Sequence, residues 1–180
     1  MNNTPPAFTN GQLRIEHIVF TQSATVSADM GGVKFNNCRF ANGLYIYGGK
    51  TEVMNCCATA GDGPAVSVGD GTAVQDIAIY NSAAELDSAS FPTVNVALNV
   101  GHFEMKGNQI VNTGGMSAIV DQETPGPISP LHLYTHNYIK GPSPLGGPGA
   151  TPAITDPGAG TTNTIAFRLN TVWGHVGVPG

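Results

Sequence analysis

Apolar and polar residues alternate through Gly101–Gly115, GHFEMKGNQIVNTGG, in a way that predicts a strand segment with a bend and a closing turn. Phe103, Met105 and Ile110 point to one side, Asn108 lies at the bend, and a Gly-containing turn closes the unit. The chain writes this pattern seven times. The position of Phe103 is filled elsewhere by Leu13, Val33, Thr51, Ile77, Leu131 and Ile165, and that of Met105 by Ile15, Phe35, Val53, Ile79, Leu133 and Phe167. The Asn108 column holds Ile18, Cys38, Cys56, Ser82, His136 and Asn170. Ile110 matches Phe20, Phe40, Ala58, Ala84, Tyr138 and Val172. The column just before Asn108 contains Asn37, Asn55 and Asn81 in consecutive copies.

Spacings from Leu13 to Val33, Thr51, Ile77, Phe103, Leu131 and Ile165 are 20, 18, 26, 26, 28 and 34 residues. Such irregular steps exclude a hexapeptide helix and suit units that keep their strands while varying their loops. A second apolar stretch follows each of the first six copies: Thr25-Val26, Leu44–Tyr47, Ala65–Val68, Val94–Val100, Ala118–Val120 and Ala153-Ile154. Because the pattern recurs in one sense, the copies stack in parallel, each pairing with the next at about 4.8 Å.

This pattern resembles the right-handed parallel β-helix of the pectate-lyase-like superfamily, which includes phage tailspike and virion proteins. The resemblance runs from Leu13 to Trp173. It implies an all-β fold, a single-stranded right-handed parallel β-helix of about seven coils, and the handedness agrees with the rule for parallel crossovers. The competing architecture is a β-sandwich of short strands. The expected organisation is an extended N-terminal arm over 1–12, a β-helix domain over 13–173 and a C-terminal tail over 174–180. Long Pro/Gly-rich turns, Glu123–Pro130, Lys140–Pro152 and Asp156–Thr162, are expected as surface loops. Neither terminal segment offers the amphipathic capping helix common in the family, which points to burial of an end against another chain.

Composition narrows the function. Gly (24) and Pro (13) make up a fifth of the 180 residues, which favours turns over helices. Only 11% of residues are charged, against about a quarter usually, and the net charge of -5 comes without a basic patch. Nucleic acid is therefore not an expected partner. No apolar run is long enough to span a membrane, and no signal peptide is visible at the N-terminus.

Candidate chemistry is sparse. Asn37, Asn55 and Asn81 are expected to form a stacked amide ladder. Cys38 and Cys56 share a column in adjacent copies, and their parallel Cβ bonds favour stacked reduced thiols over a bridge. Cys57 faces outward. Asp121 and Glu123, two apart at a strand end, are the best carboxylate pair, with Asp70 ending the corresponding strand earlier; solvated turn carboxylates are the plainer reading of all three. The five histidines suit core or surface roles, and no metal or cofactor is called for. Tyr80 and Tyr134 project from the first strand, and Tyr45 and Tyr47 from the next, as subunit-interface or glycan contacts. Lys34 is expected beside Glu52 across neighbouring copies.

Two functions fit. The first is a non-enzymatic, trimeric structural protein of a bacteriophage virion surface, a capsid decoration or cement or a tail accessory protein, assembled in the bacterial cytoplasm and bound to a capsid or tail protein. The second is a carbohydrate-active β-helix protein, a polysaccharide lyase or hydrolase or a glycan-binding tailspike on host surface glycan. The chain is short for a β-helix enzyme and shows no convincing acidic cluster, which favours the first.

Overall fold

The computed structural model describes residues 13–27, 30–69, 76–97, 100–122, 131–141, 152–155, 164–173 and 175–176. The expected N-terminal arm, Asp70, Glu123 and most of the three long turns lie outside these residues.

Strands come in sets of three. The first set is β1 (Leu13–Glu16), β2 (Val19–Phe20) and β3 (Ala24–Val26), the second β4 (Gly32–Asn36), β5 (Arg39–Phe40) and β6 (Leu44–Ile46), and the third β7 (Lys50–Met54), β8 (Cys57–Thr59) and β9 (Val66–Val68). There follow β10 (Asp76–Tyr80), β11 (Ala83–Leu86) and β12 (Val94–Val96), then β13 (His102–Lys106), β14 (Gln109–Asn112) and β15 (Ile119–Asp121). The last two sets are β16 (Leu131–Thr135), β17 (Tyr138–Lys140) and β18 (Pro152–Thr155), and β19 (Thr164–Arg168), β20 (Thr171–Trp173) and β21 (His175–Val176).

Each set gives one strand to each of three seven-stranded sheets, in the orders β1-β4-β7-β10-β13-β16-β19, β2-β5-β8-β11-β14-β17-β20 and β3-β6-β9-β12-β15-β18-β21. These are called the first, second and third sheets below. All neighbours are parallel, for instance β4 with β7 and β10 with β13. That arrangement excludes an antiparallel sandwich and is compatible with a parallel β-helix. Pairing continues to β21, inside the segment expected as a tail.

Stacking in register builds columns of like residues, and the inward columns form one core. Phe20, Phe35 and Phe40 interlock at its N-terminal end, Phe20 stacking on Phe40 at 5.1 Å. Farther along, Ile77, Ile79, Phe103, Met105 and Ile110 are all buried. Where the second sheet narrows to Ala58 and Ala84, a core void of about 10 Å³ remains, also lined by Phe40, Val53 and Met105.

The expected register holds through the first five sets and slips by one residue in the sixth. Phe103 pairs with His132 and Met105 with Tyr134, so Leu131 and Leu133 face outward and Leu131 is 38% exposed. Tyr134, expected as a surface contact, is instead wholly buried. Ile139 takes the inward position expected for Tyr138. The cause is a hydrogen-bonding partner in the core that apolar alternation does not register.

Between the first and second sheets the chain bends through one residue of positive φ in every set: His17, Asn37, Asn55, Asn81, Gly107, His136 and Leu169. Asn and Gly tolerate this left-handed conformation best, which accounts for the asparagines at three of the bends. They are exposed bend residues and do not form the buried ladder expected of them.

Candidate functional site

One core column of the third sheet runs Val26, Ile46, Val68, Val96 and then Asp121. Asp121 is 1% exposed, so the carboxylate read as a turn residue sits among aliphatic neighbours. A bare carboxylate there would be costly, and the next turn of the chain supplies its partners. His132 Nδ1 lies 2.6 Å from Asp121 Oδ2, and the Tyr134 hydroxyl donates to the same oxygen at 2.8 Å. His132 Nε2 lies 2.9 Å from the carbonyl oxygen of Val100. Phe103 meets both rings edge to face, at 5.9 and 5.7 Å. The cluster joins the third sheet to the first through the core. Its buried atoms are placed to hold the sheets together, out of reach of a polysaccharide.

A second polar system follows the bend. From the second set onward the residue after each positive-φ position turns inward, giving Cys38, Cys56, Ser82, Asn108, Asn137 and Asn170 one above another, whereas Ile18 in the first set is exposed. From Cys56 onward each side chain accepts the backbone N–H of the residue before it in the column. Cys38 donates to Cys56 Sγ at 3.3 Å, Cys56 to Ser82 Oγ at 3.0 Å and Ser82 to Asn108 Oδ1 at 2.9 Å. Asn108 donates to Asn137 Oδ1 at 2.9 Å, and Asn137 to Asn170 Oδ1 at 2.8 Å. The amides also reach back one set, Asn108 Nδ2 to the Ile79 carbonyl at 2.8 Å and Asn137 Nδ2 to that of Met105 at 3.0 Å. The amide ladder is thus real but runs through Asn108, Asn137 and Asn170. Asn137 replaces His136 in the column, by the same one-residue slip. Cys38 and Cys56 are buried with unbridged thiols, and desolvation pushes the Cys56 thiol up to about 11.

The outer faces differ in charge. The first sheet carries Lys34–Glu52 at 2.8 Å, the pair expected, and Asp76 between Lys50 at 3.4 Å and His102 at 2.8 Å. His102 and Lys50 hold the Asp76 carboxyl below its ordinary value. The Tyr80 hydroxyl donates to Glu104 at 2.7 Å, and that carboxylate pushes the phenol up to about 12. The outward column of the third sheet is the uncharged series Thr25, Tyr45, Ser67, Asn95 and Val120, of which Ser67 and Val120 are buried. Tyr45 and Tyr47 are half-buried there with ring centroids 6.1 Å apart. Cys57 is exposed on the second sheet.

The structure therefore separates the predicted residues. Asp121 goes to the core, Tyr45 and Tyr47 to the third sheet, Tyr80 to the first, and Asp70 and Glu123 fall outside the described residues. Sequence reasoning misses His132 and Tyr134 as a pair. Among the described residues, no three His, Cys, Asp or Glu side chains converge as metal ligands. No protein-family model matches the sequence, and no curated protein and no solved structure matches it.

Proposed function

We propose that this chain is a non-enzymatic structural protein of a bacteriophage virion surface, a capsid decoration or tail accessory protein. In this reading seven right-handed β-helical coils form the protomer, and three protomers assemble on a capsid or tail protein. The observation that carries the non-enzymatic part is the burial of Asp121. The strongest carboxylate for catalysis is bonded to His132 and Tyr134 inside the core. On the first sheet the outward acids Glu16, Glu52, Asp76 and Glu104 each have a partner, and the void beside Ala58 and Ala84 is small and apolar. A stiff stack tied by hydrogen-bonded columns in its core suits a load-carrying surface element. The virion assignment rests on the resemblance of the strand pattern to phage β-helix proteins, an inference from fold to function.

Tyr45 and Tyr47 favour a second reading. Two adjacent aromatic rings on an uncharged face, with Gln122 donating to Asn95 at 3.0 Å nearby, suit a glycan-binding surface of a tailspike-like protein. Native mass spectrometry tests the first reading, with a mass of three chains expected; a strict monomer overturns the trimer. Depolymerisation of a bacterial surface polysaccharide by the purified chain overturns the non-enzymatic assignment. Glycan-array binding lost in Tyr45→Ala, without depolymerisation, selects the second reading as a binding protein.

A further inference from the structure

Cys38 and Cys56 fill neighbouring rungs of the bend column, both buried and unbridged. They stand level in adjacent sets, since Asn36 pairs with Met54 and Arg39 with Cys57. Each thiol donates to the carbonyl two residues before it, Cys38 to Asn36 at 3.5 Å and Cys56 to Met54 at 3.1 Å, so the two side chains point alike. Parallel side chains on neighbouring strands keep the strand spacing of about 4.8 Å. A disulfide needs the Cβ atoms at about 3.8 Å and the sulfurs at about 2.05 Å, so these thiols do not close one without shifting the strands. The same spacing fits two sulfur–metal bonds end to end, about 4.6 Å if each has the thiolate–zinc length of about 2.3 Å.

We propose that Cys38 and Cys56 form a two-coordinate site for a soft divalent cation of the mercuric type, held as a linear sulfur–metal–sulfur bridge between the second and third sets. Binding breaks two sulfur–hydrogen bonds, forms two sulfur–metal bonds and releases two protons to water. The hydrogen bonds given up are those of thiols, which are weak donors. Softness and charge set the choice of ion. Thiolates select soft cations, and among the described residues no third Cys, His, Asp or Glu gathers to complete a tetrahedral zinc site. In the core, two thiolates with a divalent ion are neutral. A monovalent ion leaves a buried negative charge there, faced by the Cys38 N–H at 3.3 Å from Cys56 Sγ. Burial pushes the Cys56 thiol up to about 11, so the ion must be thiophilic enough to displace a tightly held proton. Cys56 also lines the small void beside Ala58 and Ala84, which leaves room next to its side chain. The bridge staples the two sets where the column's own hydrogen bonds run through sulfur, a weak acceptor.

The test uses Cys57→Ser, which removes the exposed thiol and leaves the buried pair. This chain is unfolded in urea, refolded with one equivalent of mercuric chloride and compared with the metal-free chain. Native mass spectrometry should find one mercury per chain with two protons lost, and far-UV circular dichroism should match the metal-free chain. The bridge joins residues 18 apart, so, like a disulfide closing such a loop, it should lower the unfolding equilibrium constant on the order of a hundredfold. Silver(I), which leaves the site charged, should give less; a silver gain equal to that of mercury overturns the divalent assignment. Cys56→Ser in the same background keeps the rung, since Ser82 already accepts a backbone N–H through its hydroxyl, and should gain nothing from mercury. A mercury-loaded chain no more stable than the metal-free one, or an equal gain in the single-thiol variant, overturns the site. Should the single-thiol variant fail to fold, the two-thiol chain decides alone, because a bridge that does not fit strains the folded state and lowers its stability instead.

Discussion

Asn137→Ala probes the ladder at its most connected rung. Asn137 Oδ1 accepts from the Asn108 backbone N–H at 2.9 Å and from Asn108 Nδ2 at 3.0 Å, while its Nδ2 donates to the Met105 carbonyl at 3.0 Å. Alanine removes all three, and with them the bond from Asn137 Nδ2 to Asn170 Oδ1 at 3.1 Å. Asn108 Nδ2 keeps the Ile79 carbonyl, so the buried group left without an acceptor is the Asn108 N–H. An orphaned buried donor costs about 1–3 kcal/mol, and loss of the amide that stitches two sets adds about 1 kcal/mol. The expected destabilisation is about 2–4 kcal/mol. Asn137→Ser should cost less, about 1–2 kcal/mol, because Ser82 already shows a hydroxyl filling this role, accepting the Cys56 N–H and donating to the Tyr80 carbonyl. Urea denaturation followed by far-UV circular dichroism gives both values. The reasoning fails if alanine is within about 1 kcal/mol of wild type, or if serine is no better than alanine.

Three other changes probe separate columns. Thr51 occupies a buried core position between Val33 and Ile77, and its hydroxyl has no hydrogen-bond partner; Thr51→Val should stabilise by about 1 kcal/mol in the same assay. Leu169 holds φ 55° at the bend while 77% exposed, so it bears backbone strain with little burial in return. Leu169→Asn, the residue used at three other bends, should raise the urea midpoint by the equivalent of about 0.5–1 kcal/mol. Native thiol labelling at pH 8 should modify Cys57 quickly and leave Cys38 and Cys56 protected, since both are buried and the Cys56 thiol resists ionisation. Equal rates at all three would show that the core opens easily.

Alternation is enough to reach a parallel stack with at least two strand segments in each unit, because five consecutive sets put apolar or β-branched residues inward at matching positions; the third sheet emerges only in the structure. It fails where polarity itself faces the core. In Leu131-His132-Leu133-Tyr134 both faces are plausible by size, and counting apolar residues selects the leucines. Asn137 is the signal that corrects this. Aligning it with Asn108 and Asn170 makes the steps 29 and 33 residues and carries His132 and Tyr134 inward. Nothing local marks Asp121 as buried, because its partners lie 11 and 13 residues away along the chain. The bend asparagines stand in the column that the pattern picks out, but the buried ladder belongs to their neighbours. One residue supplies positive φ, and the next turns its side chain inward. Local pattern cannot divide those duties.

The division also grades the stack from end to end. Toward the N-terminus the ladder column holds two thiols, weak hydrogen-bonding groups, and cohesion comes from the interlocked Phe20, Phe35 and Phe40. Toward the C-terminus the same column holds three amides, and the adjacent core exchanges an aliphatic column for Asp121 with His132 and Tyr134. Apolar packing tolerates small shifts between neighbouring sets, whereas bonds of 2.6–3.1 Å fix their offset. The one-residue slip in the sixth set lies where such bonds begin to dominate the core. Register there is set by partner chemistry, and the two outward leucines are its consequence. In a stack where each set touches mainly its neighbours, the apolar end and the hydrogen-bonded end need not respond alike.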